Sequence, residues 1–184
     1  MTKSILTFSA LLALSFVAKA QTNANASLAF TQNGSLFTYD ITLHNSGTTN
    51  IGTFWFAWVP GQDYLPIAPS STSSPSGWTL TQTTSPGYGT GLRWTIPATG
   101  EIASGASLSG FQFTTTSTPS EIAGLSIFGT HPPVGTSVVY EHSFTGLNSS
   151  GGSATFVATT VPEPASLAVL GLGVVALIRR RRRN

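Results

Sequence analysis

Residues 21–160 of this 184-residue chain hold few groups able to do chemistry: Asp40, Asp63, Glu101, Glu121, Glu141, and the histidines His44, His131 and His142. A glycosidase needs two carboxylates about 5–10 Å apart across a groove. Asp63 in a long loop and Glu101 in a turn are the one pair whose positions suit that task, although surface acids are ordinarily just solvated. Serine catalysis needs a serine, a histidine and an acid brought together. His44 and His131 lie beside turns, His142 occupies a polar strand position, and Gly105-Ala106-Ser107-Leu108-Ser109 lacks the closing glycine of a nucleophile elbow. No His or Cys pair has zinc spacing, and no alternating Asp/Asn loop suits calcium. Gly87-Tyr88-Gly89-Thr90-Gly91 lacks the lysine and following helix of a phosphate loop, and reads as a hairpin turn. The sequence therefore predicts no catalytic residue, no metal ligand and no cofactor-binding residue, and a protein that is not an enzyme.

Aromatics are the one feature with binding content. Flat exposed rings stack on sugar faces, and Tyr64, Trp78 and Tyr88 fall in loop positions where they would form a platform for polysaccharide. Trp55, Trp58 and Trp94 lie in strand positions and are expected in the core.

Charge narrows the partners. Of eight Lys and Arg, seven (Lys3, Lys19 and Arg179 to Arg183) sit near the two ends, so residues 21–160 keep only Arg93 against five acids, a net charge of −4. A phosphate backbone requires several basic contacts, which excludes nucleic acid as a partner. The absence of cysteine leaves packing, not disulfides, to stabilise the domain.

The elements that must position these residues are strands. Between Gln21 and Thr160 no run of ten or more residues has a helical apolar period. Asn33-Gly34 predicts a hairpin between Ser27–Gln32 and Ser35–His44, and Phe37, Tyr39, Ile41 and Leu43 alternate with polar residues as on a half-buried strand. Asn45 to Asn50 supplies the next turn. Ile51–Val59 is apolar on both faces, with Phe54, Phe56 and Trp58 expected on one side and Trp55, Ala57 and Val59 on the other. The loop from Pro60 to Gly77, with four prolines, is expected to fold back over the sheet edge. Further strands are expected at Trp78–Thr84, Gly91–Ile96, Ser107–Thr116 with a bulge near Gly110, Gly124–Phe128, Ser137–Thr145 and Ala154–Thr160. The whole predicts an all-β chain with a single antiparallel β-sandwich ectodomain at 21–160.

The two ends carry targeting signals. Residues 1–20 read as a secretory signal peptide, with Lys3, an apolar stretch from Ile5 to Val17 and cleavage after Ala20 of Ala18-Lys19-Ala20. At the other end, Val161-Pro162-Glu163-Pro164-Ala165-Ser166 leads into an uncharged run from Ala165 to Ile178, which holds Gly171 and Gly173. Its fourteen residues reach about 21 Å as a helix. That is shorter than the roughly 30 Å hydrocarbon core, and it spans if the bilayer thins and arginines snorkel. Arg179, Arg180, Arg181, Arg182 and Arg183 then anchor the chain on the cytoplasmic side.

These three parts in this order, over Val161 to Arg183, closely resemble the PEP-CTERM sorting signal of Gram-negative bacteria. The resemblance implies that an exosortase-type membrane protease recognises Pro162, Glu163 and Pro164 and removes the tail during sorting to the envelope. Two prolines hold that segment extended, as a protease requires. Phe54 to Pro66 with Gly77-Trp78, and Pro133 to Ser137, are similar to ectodomains of PEP-CTERM proteins that have no assigned activity. The expectation is an exported protein at the outer surface of a Gram-negative cell, membrane-anchored before processing, with a structural or adhesive role among extracellular polysaccharide. A carbohydrate-binding module is the first alternative and a polysaccharide hydrolase the second.

Overall fold

The computed structural model describes residues 21–85, 89–127 and 132–142, and the backbone of 154–160. Strands β1 (Ala24–Asn33) and β2 (Leu36–Asn45) form a hairpin registered from Ala24↔Asn45 to Asn33↔Leu36. The two central turn residues are Gly34 and Ser35, one position later than Asn33-Gly34 predicts. Gly34 at φ 62°, first of the pair, is the residue that needs left-handed freedom, while Ser35 avoids that region. In β2 the predicted alternation holds, with Phe37, Tyr39, Ile41 and Leu43 buried between half-buried polar residues.

Asn45, fully buried, ties the following turn. Its Nδ2 donates to the Thr49 and Ile102 carbonyls at 2.7 and 2.9 Å, and its Oδ1 accepts from the Gly47 N–H at 3.0 Å. A Cβ at Gly47 would collide with the backbone of Gln21 and Asn23, so glycine there admits the chain's own N-terminal segment.

All six residues of β3 (Ile51–Phe56) are buried, as a strand apolar on both faces predicts. The parity beyond it differs from the expectation. Ala57 takes a left-handed φ of 54°, so Phe54, Phe56 and Ala57 share the main core while Trp58 turns onto the opposite face beside Trp55. Two short strands, β4 (Trp58–Val59) and β5 (Gln62–Asp63), then close a separate hairpin.

The proline-rich loop does return to a sheet edge, where it becomes a strand. β6 (Ser71–Ser73) pairs with β9 (Ser107–Thr115). Between them in sequence run β7 (Thr79–Ser85) and β8 (Gly89–Thr95). The bulge near Gly110 is present: the β2–β9 register passes from Ile41↔Phe111 to Leu43↔Leu108, and Gly110 sits at φ 95°. Asp40 secures it, accepting from the Gly110 N–H at 3.0 Å and from Gln112 Nε2 at 2.8 Å.

The expected strand at Gly124–Phe128 is not formed over its described residues. Instead a one-turn helix, α1 (Pro119–Ala123), precedes it and stops at Gly124. Thr118 and Glu121 cap α1 reciprocally and Pro119 stands in its first turn, a pattern readable in Thr-Pro-Ser-Glu but too short for any apolar period. Leu125 keeps only an isolated bridge to Pro133. The last strands are β10 (Ser137–Glu141) and β11 (Ala154–Thr160).

Hydrogen bonding orders nine strands as β6-β9-β2-β1-β11-β10-β3-β8-β7. Every pairing among them is antiparallel except β1 with β11. The two halves of this series face each other through rings: Phe111 of β9 lies 5.3 Å from Phe54 and 5.5 Å from Trp94, and Phe113 lies 5.0 Å from Phe56. β11 is thus the strand that joins two facing arms. Among the described residues no helix is long and apolar enough to cross a membrane.

Candidate functional site

The sorting residues Pro162, Glu163 and Pro164, the run Ala165 to Ile178, the arginines 179–183, the cleavage residue Ala20 and Tyr88 all lie outside the described residues. What the structure does place is the β11 backbone that leads into them. Its end at Thr160 leaves Val161 as the only residue before Pro162.

The aromatic platform is corrected at two of its three residues, Tyr64 and Trp78. Tyr64 is 1% exposed and Trp78 5% exposed, so neither offers a ring face to a sugar. The Trp78 ring meets Phe111 edge to face at 5.1 Å, and burial raises the Tyr64 phenol above its ordinary pKa while its hydroxyl donates to Gln62 Oε1 at 3.0 Å. Trp55, Trp58 and Trp94 are buried, as their strand positions predict.

They are not all in one core. Trp55 and Trp58 stack at 4.1 Å with planes 16° apart on the face away from Phe54, flanked by Val138 and by Tyr140 at 6.3 Å. Arg93, the one cation of residues 21–160, lies with its Cζ 5.3 Å from the centre of the Trp55 ring. Desolvation lowers the Arg93 pKa and raises that of Tyr140, because both are partly taken out of water by this layer. Sequence reasoning missed the cluster, since it requires the reversal at Ala57 that no local pattern announces.

Asp63 and Glu101 have separate partners. Asp63, 2% exposed, accepts from Thr83 Oγ at 2.8 Å and from Ser85 Oγ at 2.7 Å, against the expectation of a solvated acid. Gly91 makes room for it, since a Cβ there would strike Asp63 Oδ1. The Glu101 side chain, 3% exposed, accepts from His142 Nδ1 at 2.9 Å. That hydrogen bond, then the Glu101 charge, raises the pKa of the exposed imidazole, and Glu141 at 3.5 Å adds to it. His44 Nδ1 and Ser107 Oγ stand 2.9 Å apart on exposed strand surface. Among the described residues no carboxylate orients that imidazole, the third part a triad requires. His131 lies outside the described residues.

A shallow groove of about 80 Å³ is lined by polar residues of β2, β6 and β9, among them Thr38, Ser71, Ser73 and Gln112. Small-molecule sites are typically about 300–1,000 Å³. Among the described residues no group of three or more His, Cys, Asp or Glu is arranged to hold a metal ion.

In class, then, the chain is a mostly β protein built of antiparallel pairings, with almost no helix among the described residues. Residues 160–183 match the PEP-CTERM protein-sorting motif, the mark of an exported protein that is processed by exosortase, a membrane protein. No curated protein matches the chain. Among solved structures it is similar to a CBM3 of Hungateiclostridium clariflavum, with TM-score 0.42 and 12% identity, covering 68% of this chain and 98% of that one. It is also similar to a GH20 exo-β-N-acetylglucosaminidase of Vibrio harveyi. The inactive mutant gives TM-score 0.41 and 16% identity over 76% of this chain, and the complex with N-acetylglucosamine gives 0.41 and 13% over 78%. The chain spans under a fifth of that enzyme's length, 18% and 19% respectively.

Proposed function

We propose that this chain is an exported surface protein of a Gram-negative envelope. Its two facing sheet arms constitute one β-sandwich ectodomain at 21–160. Exosortase recognises Pro162, Glu163 and Pro164, the run Ala165 to Ile178 holds the precursor in the membrane, and Arg179 to Arg183 anchor it inside. The mature domain serves a structural or adhesive role in the extracellular polymer matrix and is not an enzyme.

The observation that carries this reading is the sorting-motif match at 160–183, which begins at the residue where the folded strands end. The remaining chemistry supports a passive domain. The two best-placed acids are each committed to hydrogen bonds of their own, Asp63 to two hydroxyls and Glu101 to His142. All four tryptophans are buried in the packing of the sheet faces.

Intact-mass measurement of the protein recovered from the native cell surface tests the proposal. The expected species begins at Gln21 and ends between Pro162 and Pro164. A mass that retains the five arginines would mean a permanent anchor and overturn the processing step.

A further inference from the structure

Thr160 is both the last residue of β11 and the first residue of the matched sorting motif. The strand is held in two halves. Ala154 to Val157 are registered antiparallel against Tyr140 to Ser137 of β10, whereas Ala158, Thr159 and Thr160 are registered parallel against Asn25, Ala26 and Ser27 of β1. The half nearest the motif therefore rests on three parallel pairs, the less stable kind per residue.

Building on the sorting reading above, we propose that processing requires Ala158 to Thr160 to leave β1, so that exosortase and the sheet compete for one stretch of backbone. Three considerations lead there. A protease that reads an extended peptide pairs with its backbone as an added strand. Pro162 and Pro164 have no N–H to give, so of the three motif residues only Glu163 donates, and a strand added across the site extends upstream through Val161 into residues registered with β1. Reach is the third. From Thr160 to Ala165 the chain extends at most about 17 Å, while a domain of this size is roughly 37 Å across from its expected radius of gyration of about 14 Å. Within that reach the motif stays beside the domain while β11 is intact. Peeling three residues adds about 10 Å of tether and leaves Ala154–Val157 on β10.

The test inserts eight Gly/Ser residues between Thr160 and Val161 of the full chain. Conversion of precursor to processed form is followed by pulse-chase in the native cell. Processing at least threefold faster than the wild type is expected, because the motif no longer waits for the strand. An unchanged or slower rate would overturn the competition. Glu163→Ala, placed in both chains, keeps the two failures apart. It should block processing in each, and if it is processed at the parental rate the sorting reading fails, whatever the insertion does.

Discussion

Asn45 carries more of the local structure than any charged residue, since three buried hydrogen bonds from one side chain set the turn between β2 and β3 and fix Ile102 against it. Asn45→Ala removes all three bonds. The Ile102 carbonyl keeps the Ile51 N–H and the Gly47 N–H keeps the Asn23 carbonyl, while the Thr49 carbonyl loses its donor. Each buried bond lost costs about 1 kcal/mol. A loss of about 3 kcal/mol is expected, read by urea denaturation as a lower midpoint with an unchanged slope. His142 sets a pH dependence of the opposite kind from a buried acid. Its pKa in the folded protein lies above the unfolded value of about 6.5 because Glu101 accepts its hydrogen bond. The stability it contributes is thus complete below about pH 6.5 and is lost as pH rises through the raised pKa. Melting temperature should fall over that range in the wild type and fall less in Glu101→Gln. Equal slopes would show that the pair is not coupled to folding.

Phe111 shows how β9 meets the opposite arm, through rings of Phe54, Trp78 and Trp94 all within 5.5 Å. Phe111→Ala should cost about 3–5 kcal/mol as a cavity in a close-packed layer. Calorimetry measures it directly, and a loss under about 1 kcal/mol would mean the arms are not held by these rings. At this scale much was legible in the sequence. Alternation in β2, the hairpin beside Gly34 and the bulge at Gly110 follow from residue types a few positions apart. Ala57 was not legible, because a left-handed alanine is set by what packs around it and not by its own preference. The burial of Tyr64, Trp78 and Asp63 was missed for a related reason: a proline-rich loop reads as solvated until it is found to contribute strands of its own.

For the molecule as a whole, the C-terminal sorting signal was legible because it is linear: Pro-Glu-Pro, apolar run and arginines follow one another in sequence, and the motif match falls on that stretch. Sheet order was not, because pairing residue 25 with 158 is invisible to any window a reader can scan. That pairing has a mechanical meaning. A strand inserted between two neighbours and continued directly into the tether takes a pull along its own axis. The slanted bonds of the three parallel pairs with β1 meet that load first, and the four antiparallel pairs with β10 lie behind them. Shear on the anchored precursor is thus met in two stages, at β1 over Ala158, Thr159 and Thr160 and then at β10 over Ala154 to Val157.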